Sequence, residues 1–161
     1  MIEIVHDLFI GSERDCFRDY REDWAVIHAC KIPCHQISVG YRGSLPQDHP
    51  NYLHKRESNH LYLNMVDMDK PLLPKFTHPI IAQAMSFIDE YRPNRKILIH
   101  CNHGYSRAPS IALIYLARKV EIINSSYEEA RSDLLRLYPL YRPASGIESY
   151  LQSNWRDLME L

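Results

Sequence analysis

The chain has 161 residues, a mass of 19.0 kDa and a formal net charge of −1, from 19 basic and 20 acidic side chains. That length predicts one domain, 1–161, large enough to bury a single hydrophobic core. The near-neutral charge argues against a general nucleic-acid binder, whose surface is normally strongly basic. No apolar run approaches the roughly 20 residues of a transmembrane helix, and no signal-peptide pattern opens the chain. We therefore expect a cytoplasmic protein that does not enter membranes.

The first half of the chain predicts short strands, one capped turn and a long polar segment. Strands are expected where apolar residues cluster, at Ile2–Val5, Leu8–Ile10, Ala25–Ile27 and Leu61–Leu63. Ser12 and Asp15 have the spacing of a capping box for a short helix. The stretch Pro33–His60 is polar and rich in histidine, which predicts either a solvated surface excursion or a functional loop.

The second half predicts helices. Pro79 is expected to begin a helix that ends before Pro93, and Ser110–Ala117 is apolar on all sides, which predicts a central buried helix. Two further helices are expected to begin at capping boxes, Ser126 with Glu129 and Ser145 with Glu148. Strands that alternate with helices predict an α/β fold, a single compact domain with a central, mostly parallel sheet flanked by helices.

The most informative segment runs from His100 to Arg107. It contains a cysteine and an arginine separated by five residues, with Gly104 between them. It follows the apolar run Ile97–Ile99 and precedes an apolar stretch opened by Pro109, which suits a first helical turn. This order predicts a buried strand, a tight loop and a helix start. A structural cysteine with an ordinary ion pair is the alternative, and it explains neither the spacing nor the glycine.

Such a loop suits the binding and attack of a phosphate monoester. Successive backbone N–H groups and the positive end of the following helix form an anion cradle and favour the thiolate of Cys101. Arg107 can donate two parallel hydrogen bonds to phosphoryl oxygens. We expect His100 to orient the loop and support the thiolate through hydrogen bonds. The expected phosphate-binding residues are Asn102, His103, Gly104, Tyr105, Ser106 and Arg107.

The run from His100 to Arg107 resembles the signature loop of cysteine-dependent protein tyrosine phosphatases. The segment Gly104–Arg107 and the chain length most resemble the dual-specificity subfamily. Weaker similarities cover essentially the whole chain, at Leu8–Ser12, Ala25–His28, Phe87–Asp89, Ile114–Leu116 and Arg142–Pro143. The resemblance implies a phosphatase-type fold and hydrolysis of phosphotyrosine, and of phosphoserine or phosphothreonine, in proteins. It also implies a cysteinyl-phosphate intermediate on Cys101, with no cofactor.

The resembled family uses an aspartate on a separate loop as the general acid for the leaving oxygen. The candidates here are Asp67 and Asp69. Asp69 lies 101 − 69 = 32 positions before Cys101 and is preferred, with Asp67 as the alternative. Either aspartate could instead stabilise a turn before Pro71.

The chain departs from the resembled pattern at two positions. Relatives usually carry serine or threonine directly after the arginine, where the hydroxyl helps the thiolate leave, and this chain has Ala108. The resemblance therefore implies slow hydrolysis of the intermediate. Ile147 stands near the place where relatives often carry an asparagine that braces the loop.

The substrate class is open within the phosphate esters. The loop has no lysine, unlike phosphoinositide phosphatases of the superfamily. His103 before Gly104 resembles RNA 5′-triphosphatases, and Ala108-Pro109 resembles glucan phosphatases. A phosphorylated protein is the preferred substrate. The alternative substrates are an RNA 5′-phosphate, a phosphoinositide and a phosphoglucan. The alternative function is a phosphate-binding module without turnover.

Three further cysteines accompany Cys101, and they are Cys16, Cys30 and Cys34. The stretch from Cys30 to His35, with His28, suggests a metal cluster, but its spacing lacks a second ligand pair. We expect no metal ion and reduced thiols in and around the core. Protection of an oxidised Cys101 by a second thiol is a further alternative.

Overall fold

The computed structural model describes residues 1–161. Six strands and five helices follow the expected order of strands and helices. The strands are β1 Ile2–Val5, β2 Leu8–Gly11, β3 Trp24–His28, β4 His54–Glu57, β5 His60–Leu63 and β6 Lys96–His100. The helices are α1 Gln36–Val39, α2 Pro74–Tyr91, α3 Arg107–Arg118, α4 Tyr127–Leu137 and α5 Ser145–Met159. Irregular turns at Glu13–Asp15 and Lys31–His35 complete the secondary structure.

The strands form one mixed sheet in the order β1-β2-β6-β3-β5-β4. The four inner strands pair in parallel, and the outer strands β1 and β4 pair antiparallel to their neighbours. The predicted α/β domain with a mostly parallel sheet is therefore confirmed. The strand β6 lies in the interior of the sheet, so its last residue, His100, carries the signature loop to the carboxyl edge of the sheet. Ligands bind at this edge in open α/β sheets.

The two faces of the sheet bury different sets of side chains, because successive residues of a strand point to opposite sides. The main core joins one face to helices α2 to α5, and its sheet residues include Ala25, Ile27, Ile97 and Ile99. The opposite face packs a smaller cluster, formed by Phe9, Phe17, Trp24, Val26 and Leu98.

Helix α3 is the central helix of the main core. Its residues Arg107–Ala117 are all buried, which confirms the buried helix predicted from the apolar run. The predicted capping role of Ser126 is also confirmed, since its hydroxyl accepts a hydrogen bond from the backbone N–H of Glu129. No helix of the structure has both the length and the apolar character required to cross a bilayer.

The predicted start of α2 and the predicted capping role of Ser145 are wrong. Helix α2 begins at Pro74, five residues before Pro79, which lies inside the helix. Pro74 occupies the first turn, where a missing N–H costs nothing, and Pro79 omits one internal bond that the buried apolar stripe outweighs. Helix α5 is preceded by Ala144, and Ser145 is its first residue. The Ser145 hydroxyl does not cap the helix, because it donates to the backbone carbonyl of Asp69 at 3.2 Å.

The polar stretch Pro33–His60 has local structure. It contains α1 and the edge strand β4, and within it His35 is fully buried, bonded to the Tyr41 hydroxyl at 2.9 Å and to the Asn51 carbonyl at 2.9 Å. The segment is thus a folded surface excursion that contains two buried histidines, His35 and His60.

Candidate active site

The signature loop connects the end of β6 to the start of α3 at the carboxyl edge of the sheet. Cys101 follows β6 directly and is 1% exposed. The backbone N–H of Gly104 donates to the Cys101 sulfur at 3.3 Å. Cys101 therefore lies at the base of a closed loop, with a hydrogen-bond donor on its sulfur.

Gly104 has the conformation that the sequence predicts. Its φ is +78°, in the left-handed region, and a Cβ there would lie 3.0 Å from the carbonyl oxygen of Gly11. Both conditions favour glycine, since other residues meet a steric penalty at positive φ and this one would also crowd a backbone atom.

Four backbone N–H groups of the loop have no acceptor within the protein. They belong to Asn102, His103, Tyr105 and Ser106. Unpaired backbone donors beside the N-terminus of a helix are the composition of an anion site. Three negatively charged phosphoryl oxygens would satisfy these donors.

Arg107 is buried and is held by three acceptors. Its Nε donates to Asp67 Oδ2 at 2.9 Å, one terminal nitrogen to the Met65 carbonyl at 3.2 Å, and the other to Asn102 Oδ1 at 2.6 Å. These three hydrogen bonds hold the guanidinium plane in one orientation against the signature loop. Three of the five guanidinium N–H groups are engaged within the protein, so two remain for phosphoryl oxygens.

The structure separates the two candidate acids. Asp67 contacts the signature loop through both carboxylate oxygens, accepting from Arg107 Nε and from the Ser106 hydroxyl at 2.7 Å. Asp69 has an exposed side chain without a hydrogen bond, and its backbone carbonyl is held by Ser145. Asp67 is thus a partner of the arginine, whereas the Asp69 carboxyl group makes no hydrogen bond within the protein.

Residues that sequence reasoning did not identify brace the loop from the side of α4 and α5. The Tyr138 hydroxyl donates to the Gly104 carbonyl at 3.0 Å, and the Ala144 N–H donates to the Ser106 hydroxyl at 3.0 Å. Burial raises the pKa of Tyr138 to about 12, so the phenol stays a donor at neutral pH. Ile147 is buried in the main core. These contacts brace the signature loop from its helical side.

The structure shows no hydrogen bond between His100 and Cys101, and the expected support of the thiolate by His100 stays a prediction. The Nε2 atom of His100 lies 2.7 Å from Nδ1 of His28, the residue opposite it on β3. The Nδ1 atom of His100 has no hydrogen-bond partner. Burial lowers the pKa of His28 to about 4, so that ring is neutral at pH 7. His100 joins the ends of two neighbouring strands beneath the loop.

The first turn of α5 packs against the loop that carries both aspartates. The Gly146 N–H donates to the Met68 carbonyl at 3.0 Å, and a Cβ at Gly146 would overlap the carbonyl oxygens of Met68 and Lys70. A glycine here lets the helix approach the backbone closely, and that approach fixes the position of the loop.

We expect Gly146→Ala to destabilise the protein by about 1–3 kcal/mol, the usual cost of forced overpacking. A loss of stability would be informative, because replacing glycine by alanine inside an ordinary helix stabilises the protein by about 0.5–1 kcal/mol. Urea unfolding measures the change, and Ser149→Ala in the same helix is the matched control. A Gly146→Ala protein as stable as the parent would contradict the close approach.

Comparison with known proteins places these observations in a family context. No family model matches the sequence. Over 117 residues, 64% of this chain, the sequence is 30% identical to a probable dual specificity protein phosphatase of Dictyostelium discoideum. The match covers 29% of that protein, so the chain spans less than a third of its length.

Solved structures share the fold over nearly the whole chain. The human tyrosine phosphatase-like serine/threonine/tyrosine-interacting protein superposes with a TM-score of 0.65 at 18% identity, over 96% of this chain and 95% of that one. Human DUSP28 superposes with a TM-score of 0.62 at 19% identity, over 99% of both chains. DUSP15 gives a TM-score of 0.64 at 16% identity, over 99% of this chain and 92% of that one. The chain therefore has the dual specificity phosphatase fold, as its signature loop predicts.

Proposed function

We propose that the protein hydrolyses phosphate monoesters in phosphorylated proteins through a cysteinyl-phosphate intermediate. The observation that carries the proposal is the signature loop itself, in which Cys101 and Arg107 flank four N–H groups without acceptors. The probable phosphatase relative and the phosphatase fold of the neighbours support phosphatase activity. We propose no cofactor for this reaction.

The first step forms the intermediate. The Cys101 thiolate attacks phosphorus in line, so that a sulfur–phosphorus bond forms while the bond from phosphorus to the substrate oxygen breaks. Charge on the three equatorial oxygens is stabilised by the loop N–H groups and by Arg107. Asp69 gives its proton to the departing oxygen, which leaves as an alcohol or a phenol.

The second step returns the free enzyme. Asp69, now a carboxylate, takes a proton from a water molecule that attacks phosphorus, and the sulfur leaves as a thiolate. Ala108 is fully buried on the first turn of α3, where the usual hydroxyl would assist this departure. We therefore expect the second step to limit turnover.

Ala108→Ser is expected to raise the steady-state rate about 2- to 10-fold, since one added hydrogen bond contributes about 0.5–1.5 kcal/mol. The burst of phenol release in stopped flow should keep its amplitude while the following linear phase becomes steeper. Ala108→Cys also adds one heavy atom but only a weak hydrogen-bond donor, and it controls for volume. A steady-state rate that serine leaves unchanged would show that sulfur departure is not limiting.

Phosphotyrosine is the first substrate to test, with phosphoserine and phosphothreonine next. The mouth of the loop carries Tyr105, which is 46% exposed, and the guanidinium of Arg142 lies 5.9 Å from its ring centre. An exposed aromatic ring with a cation beside it suits an aryl phosphate in an acidic peptide. The loop lacks the lysines that a polyphosphorylated lipid would favour.

The decisive experiment uses the unmodified protein and a phosphotyrosine peptide. Phosphate release is measured in a time course, and samples are quenched in acid and digested so that mass spectrometry can locate phosphate on Cys101. We expect multiple turnovers and a phosphorylated Cys101 peptide. Peptide binding without release would indicate a binding module. Release only from RNA 5′-phosphate, phosphoinositide or phosphoglucan would replace the proposed substrate class.

A further inference from the structure

Four potential metal ligands from four separate segments meet beneath the signature loop. They are Cys16, His28, Cys34 and His100, and their ligand atoms all lie within 4.8 Å of one another. The last three are buried and Cys16 is half-buried. The cluster differs from the one that the sequence suggested, because Cys30 is not part of it and His35 bonds elsewhere.

The hydrogen bonds around His28 determine which of its two ring nitrogens is unprotonated. The His60 Nε2 atom lies 3.2 Å from the Asp19 carbonyl, which only a ring N–H can satisfy. The His60 Nδ1 atom is then an acceptor, so it takes the proton of His28 Nε2 at 3.0 Å. His28 Nδ1 is therefore unprotonated and faces the cluster. A metal-binding histidine commonly donates its other ring N–H to a protein group in this way.

His100 lacks such an arrangement in the protein alone. Its Nε2 lies 2.7 Å from the bare Nδ1 of His28, so without a cation the His100 proton has to lie between them. That leaves His100 Nδ1 as a fully buried acceptor with no donor. A cation between the rings would bind both inward-facing nitrogens, His28 Nδ1 and His100 Nε2, and the His100 ring proton would then lie on Nδ1.

We propose that Cys16, His28, Cys34 and His100 bind one zinc-type divalent cation as a structural Cys2His2 site. Zinc bonds of about 2.3 Å to sulfur and 2.0–2.1 Å to nitrogen require tetrahedral edges of about 3.3 Å between nitrogens and 3.6 Å between nitrogen and sulfur. The Cys16 sulfur already lies 3.6 Å from His28 Nδ1. The two imidazoles have to separate by about 0.6 Å.

Charge also fits this assignment. Two thiolates and two neutral imidazoles neutralise a divalent cation, and soft sulfur with imidazole is the ligand set that zinc prefers. Binding releases the two thiol protons to solvent. The Arg18 guanidinium lies 3.8 Å from the Cys34 sulfur and stabilises negative charge there.

The position of the site gives it a structural role. His100 immediately precedes Cys101, and the Asn102 amide donates to the carbonyl of Ile32 at 2.9 Å, in the turn that holds Cys34. A cation would join β3, β6, this turn and Cys16 directly beneath the phosphate-binding loop. This inference does not depend on catalysis, because a metal bound here leaves the Cys101 sulfur untouched.

The test measures metal binding by the full chain in a Cys101→Ser background, which removes the signature-loop thiolate as a competing ligand. Reduced, metal-free protein is titrated with Co²⁺ under nitrogen, and then with Zn²⁺. We expect one equivalent of cobalt, with thiolate-to-cobalt charge transfer and tetrahedral ligand-field bands that zinc abolishes. Zinc should also raise the melting temperature. Octahedral cobalt spectra without charge transfer would overturn the proposal.

Variants separate ligation from folding. Adding Cys16→Ala, at the half-buried edge of the cluster, should weaken cobalt binding at least about 100-fold, more than the loss of a residue that only orients a ligand. The Cys30→Ser substitution removes a buried thiol near the four proposed ligands that is not one of them. This variant should bind cobalt with unchanged affinity. Equal cobalt binding by the Cys16→Ala protein would exclude Cys16 as a ligand and overturn the site as assigned.

Discussion

Cys101→Ser is expected to release no phosphate above background from any phosphopeptide while still binding phosphopeptide. A serine hydroxyl stays protonated at neutral pH, and no histidine or carboxylate base contacts this position. Removing the nucleophile of a serine protease lowers kcat by about 10⁶-fold, which indicates the scale of the loss. The exchange of sulfur for oxygen is nearly isosteric, so the Gly104 N–H keeps its acceptor and the loop keeps its shape.

The measurement pairs phosphate release with phosphopeptide binding by fluorescence anisotropy. Cys30→Ser is the matched control, because Cys30 is as buried as Cys101 and packs with Cys34 and Tyr62 in a separate cluster. It should retain full turnover. Residual multiple turnover in Cys101→Ser would exclude the cysteinyl-phosphate route, and lost binding together with lost turnover would indicate a collapsed loop.

The parts of this site that the sequence predicts are those encoded in one short segment. The apolar run Ile97–Ile99, the loop and the apolar helix that follows are adjacent in the chain, so local rules of strands, glycine and helix starts suffice to place Cys101 beside Arg107. The positive φ of Gly104 follows from the same local argument.

The parts that the sequence does not predict depend on the order of the strands. The residues His28 and His100 become partners only because β3 pairs in parallel with β6 in that register. Cys16 and Cys34 reach them from irregular segments without any metal-ligand spacing. The contact from Tyr138 to Gly104 likewise spans 34 positions in the chain. Single-sequence periodicity contains no information on such pairings.

The choice between Asp67 and Asp69 is a further case of this limit. Both aspartates precede Pro71 at similar distances from Cys101, and the preference for Asp69 rests on spacing alone. The fold adds a distinction, because the Asp67 carboxylate is bonded to Arg107 and Ser106 while the Asp69 carboxylate makes no hydrogen bond. Two different defects are therefore expected when each carboxylate is removed.

Asp69→Asn is expected to lower kcat about 10²- to 10⁴-fold on poor leaving groups, the usual contribution of a positioned acid. A serine phosphate should suffer most and a nitrophenyl phosphate least, since a nitrophenolate leaves without a proton. The alkaline limb of the pH–kcat profile should disappear with the acid. Equal losses on all leaving groups would show that Asp69 does not donate the proton.

Asp67→Asn is expected to lower kcat by a similar factor on every leaving group and to keep the alkaline limb. An asparagine offers one oxygen where the carboxylate bonds both Arg107 Nε and the Ser106 hydroxyl, so the guanidinium loses a charged partner and its fixed orientation. That defect weakens stabilisation of the equatorial oxygens, whichever oxygen departs. If Asp67→Asn instead gives the leaving-group-dependent loss, Asp67 is the acid, and the ion pair with Arg107 must open when substrate binds.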